Sequence, residues 1–302
     1  MITRVSTFGL GSTMMNAALT VQSKYAETAT QKASGLVAAT YGELGAGAVP
    51  LLSAEDMMTQ MKVWKSNTEI AKNRVQSMYS AVGRMIELLT SFRSRLSAAK
   101  SDAGSAATLN RAGRDLISDL ASQMNLRMDG RYLFAGSSTG SPPVDTAKLA
   151  APISFPSATN TSYYTGDDER AAVRISSQQT IVYGVGANSD GFEKALRAAN
   201  IAAHLASSPL NTVALDETYD VATKALDTLI ATQSALSDIS LRLESAEKHQ
   251  TLSLDLLNSI TSDIKNADLA QVTVRLSLYD TQLQASYSAL SKVTHFSLAK
   301  YL

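Results

Sequence analysis

From Met57 to Ala99, apolar residues recur at alternating steps of four and three: Met57, Met61, Trp64, Ala71, Val75, Met78, Val82, Met85, Leu89, Phe92, Leu96 and Ala99, with Thr68 the single polar member. That spacing places one stripe along one side of a helix, and holding it for roughly six heptads predicts a coiled coil. Ser53, with Asp56 three residues on, predicts a capping box at the start of the helix. At ~1.5 Å per residue the element is a rod of roughly 70 Å, too long to stand alone. The same alternation returns after Asp216 on Ala222, Ala225, Leu229, Thr232, Leu236, Ile239, Leu243 and Ala246, which predicts the partner of the first seam. Gln250 and Ser253 weaken the repeat before Leu257, Ile260, Ile264 and Ala267 restore it, and Leu283, Tyr287 and Leu290 follow in the last segment.

The other segments fill in around this pair. A helix from about Ser12 to Gly35 carries Met15, Leu19, Ala26, Ala29 and Ala33 on one side; a seam so rich in Ala buries little, so the helix is ordered only against neighbours. Gly42, Gly45, Gly47 and Pro50 predict an irregular connector. Leu109, Ala112, Leu116, Leu120 and Met124 predict a helix folded back on the long one. Between Gly130 and Asp190 the period changes: Ser162–Thr165, Ala172–Ser176 and Thr180–Gly184 are predicted strands, with Gly166–Asp168 as the turn between the first two. Helix resumes at Asp190 on Phe192, Leu196 and Ala199. The expected fold is mainly α, a long antiparallel coiled coil or helical bundle with a small β-rich insertion. Residues 1–52 and 262–302 are expected to form terminal assembly helices, 53–136 and 191–261 the coiled-coil body, and 137–190 the insertion.

Composition narrows the function classes. The 302 residues hold 27 Lys and Arg against 27 Asp and Glu, so the chain lacks the basic excess that nucleic acid or an anionic membrane surface requires. With no Cys there is no disulfide and no thiolate ligand or nucleophile. Residues 1–15 show no basic region followed by an apolar one, and no stretch approaches the ~20 apolar residues of a membrane span.

No reactive constellation emerges. His204, His249 and His295 lie far apart, and none has a second His, Asp or Glu at helical metal-site spacing. Asp167 and Asp168 lack EF-hand surroundings, and the Gly42–Gly47 glycines lack the Lys-Ser/Thr ending of a phosphate loop. No catalytic residue, metal or cofactor is expected. The Met-rich seam is read as packing rather than as an open binding groove. The termini, helical and weakly apolar, suit segments that order against other subunits.

Several stretches carry a resemblance. Residues 3–35, ending Gln31-Lys-Ala-Ser-Gly35, are similar to the first helix of flagellins. Asp129-Gly-Arg-Tyr-Leu-Phe-Ala-Gly136 resembles their most specific motif, and Ile264-Lys-Asn-Ala-Asp-Leu-Ala270 their shared C-terminal element. Tyr164–Asp167, Leu283–Tyr287 and Phe296–Leu302 are closer to the hook–filament junction proteins, the third hook-associated family within the flagellin superfamily. Ala33-Ser-Gly-Leu-Val37 departs from the usual sequence after the first helix. The resemblance implies a structural adaptor of the extracellular bacterial flagellum. It further implies export by the type III apparatus without a cleaved signal, a cytoplasmic export chaperone, and a homo-oligomeric ring between an adjacent hook-associated protein and flagellin. No nucleic acid and no membrane insertion are expected. Expected subunit contacts are Met14, Met15, Leu19, Leu283, Tyr287, Leu290, Phe296 and Leu298. A filament flagellin is the second reading, and a surface binding module or adhesin using the β insertion the third.

Overall fold

A computed structural model describes residues 7–101, 106–152, 154–205 and 211–295. Among them the helices are α1 (Thr7–Ser34), α2 (Ala48–Ser101), α3 (Ala106–Met124), α4 (Asp190–Ala203), α5 (Thr212–Lys265) and α6 (Leu269–His295). The strands are β1 (Arg127–Met128), β2 (Arg131–Tyr132), β3 (Ala172–Arg174) and β4 (Thr180–Val182), paired antiparallel as two separate two-stranded sheets. The fold is therefore mainly α with a small β-containing insertion. Two compact units are present: Met61–Leu252, and Met1–Gln60 with Ser253–Leu302.

The core of the larger unit is the predicted seam. Ala71, Val75, Met78, Val82, Met85, Leu89, Phe92, Leu96 and Ala99 of α2 are all buried, and Ala222, Ala225, Leu229, Leu236, Leu243 and Ala246 of α5 join them in one cluster. The two helices run antiparallel, because Lys100 pairs with Asp216 at one end and Lys72 with Glu247 at the other. Burying each Leu, Met or Phe contributes about 1.5–3 kcal/mol, against ~0–1 kcal/mol for an exposed ion pair, so the seam holds the helices together. The two polar interruptions face each other: Gln250 Nε2 donates to Thr68 Oγ1 at 3.1 Å and to the Ile175 carbonyl at 2.9 Å. What read as a weak point in each helix is one buried polar layer.

Helix α3 contributes Leu109, Leu116, Leu120 and Met124 to the same cluster, but its close backbone approach is to α4. Gly113 permits it; a Cβ there would lie 2.5 Å from Ala203 N and 2.7 Å from Ala199 O. Phe134 and Phe192 meet edge to face with centroids 5.4 Å apart, tying the insertion to the start of α4.

Several expectations are corrected. α2 begins at Ala48, not Ser53, so Ser53 and Asp56 are exposed mid-helix residues and form no cap. Pro50 is accommodated in the first turn, where its missing N–H has no helical partner to lose. Part of the expected irregular connector is a 3₁₀ helix, Tyr41–Gly47, whose entry is capped by Glu43 accepting from Ala39 N and Thr40 N.

In the insertion, residues 162–165 are not a strand; Tyr164 makes one isolated bridge to Val144. Pro142 and Pro143 have no N–H to extend that ladder. Gly166–Asp168 is not a hairpin turn but a clamp. Asp167 accepts from Ser137 N at 2.7 Å, from the Ser137 hydroxyl and from Ser138 Oγ at 3.0 Å. These bonds, Ser137's hydroxyl foremost, pull the Asp167 carboxyl down to about 2. A hairpin that went unpredicted joins β1 to β2 over Asp129 and Gly130, at φ 50° and 77°. Asp-Gly is the ordinary sequence signal for such a turn.

Candidate assembly surface

Helices α1 and α6 of the smaller unit pack against each other. Ala267 N donates to the Gly35 carbonyl at 2.8 Å beside the last turn of α1 and the first of α6, so the two run antiparallel. Their shared face is Met14, Ala18, Val21, Tyr25 and Thr28 from α1 with Val272, Leu276, Tyr279, Leu283 and Leu290 from α6, all buried or half-buried. The α1 set steps by four and three, and the α6 set does so as far as Leu283, with Leu290 one heptad on. The expected α1 seam of Met15, Leu19, Ala26, Ala29 and Ala33 is thus rotated by one residue from the real one. Ala lies on both sides of this helix, so the pattern alone could not fix which stripe turns inward.

Two helix ends lie side by side at the foot of the pair. α1 stops at Ser34, with Gly35 N bonded to Gln31 O at 2.9 Å, and α5 stops at Lys265. The strand-like residues between them pair: Leu36 bridges Asn266, and Val37 N donates to Lys265 O at 2.8 Å. Asp268 restarts the chain as helix by accepting from Ala270 N at 3.0 Å and Gln271 N at 3.1 Å. This cap lies inside a repeat that Leu257, Ile260, Ile264 and Ala267 had suggested to be continuous. Ile260 is 38% exposed, and Thr261 turns inward in its place.

A charged cluster buttresses the junction. Lys265 donates to Glu55, and Tyr41 Oη donates to the same carboxylate at 2.8 Å. Lys265 holds the Glu55 carboxyl below the usual range, and Glu55 in turn raises both Lys265 and Tyr41. All three are at the surface, so the cluster orients the chain rather than stabilising it strongly. Nearby, Leu51 and Ala54 are buried and Met58 is half-buried, whereas Met57, expected in the seam, is 56% exposed.

The candidate contact residues divide into two groups. Leu283 is buried, and Met14 and Leu290 are half-buried, within the α1–α6 face. Met15 at 47%, Leu19 at 54% and Tyr287 at 50% exposure lie outside it. Phe296 and Leu298 lie outside the described residues. Sequence reading missed Leu10, Leu269, Val274 and Leu278, which are also exposed on these two helices. They fall off the four–three stripes, so no periodic signal marked them.

Among the described residues no three His, Asp or Glu come together to hold a metal, and no helix is long and apolar enough to cross a membrane. His204 Nδ1 lies 2.9 Å from the Asn200 carbonyl at the end of α4, and His249 is exposed on α5.

Comparison with known proteins gives two family matches. The bacterial flagellin N-terminal helical region matches residues 5–139, and the bacterial flagellin C-terminal helical region matches residues 219–302. No curated protein matches the chain. Among solved structures, a candidate flagellar hook-associated protein from Vibrio parahaemolyticus aligns with 11% identity and a TM-score of 0.57, over 72% of this chain and 96% of that one. Bacillus cereus FlgL aligns with 11% identity and a TM-score of 0.39, over the same shares, 72% and 96%.

Proposed function

The chain belongs to the bacterial flagellin superfamily, a structural and non-enzymatic component of the extracellular flagellum that assembles with other flagellar parts, and from that premise we propose that it is the adaptor between hook-side and filament subunits. The observation that carries the proposal is the apolar surface left uncovered on α1 and α6. Met15, Leu19, Val274, Leu278 and Tyr287 are each about half exposed or more. Covering half of such a side chain contributes ~1 kcal/mol, so several together supply the driving force for a subunit contact. In this reading the terminal helices order the inner contacts of a ring, and an export chaperone shields them before assembly. The chain leaves the cell through the type III channel without signal cleavage. The likeness of Leu283–Tyr287 and Phe296–Leu302 to junction-protein endings favours this adaptor over a filament flagellin.

The test is truncation. Deleting Leu283–Leu302 is expected to leave a helical protein by circular dichroism that no longer enters flagella. Normal incorporation of the truncated chain would overturn the proposal. The filament reading is separated by purified protein alone, which as an adaptor does not grow long filaments unaided.

A further inference from the structure

Beyond assembly, the larger unit contains a pocket whose chemistry the adaptor role does not use. A cavity of about 340 Å³ opens where α2 meets the β1–β2 hairpin and the segment entering β3, at the small end of the ~300–1,000 Å³ of ordinary ligand sites. Arg74 from α2, Arg131 from β2 and Arg170 just before β3 all line it, against the single acid Glu169. None of the three arginines pairs with a carboxylate among the described residues. Three cations gathered against one carboxylate leave an excess of positive charge that an anion relieves.

The settings of Arg74 and Arg131 point the same way, and Arg170 adds a third, exposed guanidinium. Arg74 Nη1 donates to Tyr183 Oη at 3.3 Å, while its Nε is buried with no partner. Arg131 Nε donates to Thr139 Oγ1 at 3.1 Å, which leaves both terminal nitrogens free. A guanidinium so held offers a fixed fork, the geometry that binds a carboxylate with two parallel bonds. Tyr183 and Thr139 each accept from an arginine and keep their own O–H to donate. Tyr132, whose ring also carries Arg127 at 5.7 Å, and the apolar Met78 and Leu133 are part of the remaining wall. Aromatic and apolar wall, free hydroxyl donors and a guanidinium fork together suit the ring face, hydroxyls and acid group of a sugar acid.

We infer that this pocket binds an acidic monosaccharide, held by its carboxylate between Arg131 and Arg170 and by its ring against Tyr132. The inference stands on the larger unit alone and does not depend on the adaptor reading.

Saturation-transfer NMR on the full chain, with glucuronate and N-acetylneuraminate as probes, glucose and acetate as controls, and inorganic phosphate, which has no C–H proton to observe, as a competing control, tests it. Arg131 and Arg170 are exposed, so R131Q and R170Q leave the fold intact, checked by circular dichroism. The expected result is binding of at least one acidic sugar, at least tenfold weaker binding of all three controls, and at least tenfold loss in either variant. Absence of acidic-sugar binding at millimolar concentration, equal binding of glucose, acetate or phosphate, or unchanged binding in both variants would each overturn the inference.

Discussion

Replacing Gln250 by Ala tests how the coiled coil of the larger unit is pinned. Gln250 is 4% exposed, and its amide nitrogen serves both Thr68 Oγ1 and the Ile175 carbonyl. The substitution removes two hydrogen bonds worth about 1 kcal/mol each net and leaves the Ile175 carbonyl without this donor, a penalty of ~1–3 kcal/mol. Losing the side-chain volume adds a cavity term. Gln250 Oε1 is already buried without a partner, so removing it returns part of that cost. The balance is a loss of about 2–4 kcal/mol. Thr68→Val gives the contrasting case. The Thr68 hydroxyl donates to Trp64 O at 2.8 Å and its removal leaves Gln250 still bonded to Ile175, so its cost is about 1 kcal/mol or less. Urea unfolding of the wild type, both single variants and the double variant forms a cycle, with an expected coupling near ~1 kcal/mol and an unchanged m-value. A loss under ~0.5 kcal/mol for Gln250→Ala, or equal losses for the two single variants, would refute the reasoning.

Two further outcomes follow from the fold. Gly113→Ala should destabilise by about 1–3 kcal/mol in thermal or urea unfolding, even though Ala is ordinarily ~1 kcal/mol better than Gly inside a helix, because the new Cβ meets α4 backbone at 2.5 Å; a stabilised variant would contradict the close α3–α4 crossing. Asp167, lowered from 3.8 to about 2 first by the Ser137 hydroxyl, contributes stability that is full above its ordinary value and lost as pH falls from 3.8 toward 2. In an NMR titration Ser137→Ala should move the Asp167 midpoint up toward 3.8, and an unmoved midpoint would remove Ser137 as the cause.

How much of this was legible depended on residue size and on whether a signal was local. The α2 seam could be read because Met, Leu and Phe occupy one stripe only, and the α5 stripe matched it. Thr68 and Gln250 could not be interpreted singly, since each is a defect in its own helix and a partner only across the pair. In α1 the inward stripe was misread by one position, because Ala18 and Thr28 carry no more hydrophobic weight than Ala26 and Ala29 beside them. Asp129-Gly130 and Asp268 were ordinary turn and cap signals, masked by reading their surroundings as longer motifs. Residues 162–165 have strand-like composition, yet the prolines opposite them supply no donors. Of the assembly surface, the sequence indicated the helices that carry it. Exposed residues such as Val274 and Leu278 follow no period, so only the packed pair reveals them. The arginine pocket is assembled from residues 74, 131 and 170, and no one-dimensional spacing brings these together.

Immunogold labelling of intact flagella with antibody to this chain tests the adaptor role most directly. The account predicts label confined to a narrow band at the boundary between hook and filament. Label distributed along the filament would contradict it and make the chain a filament subunit.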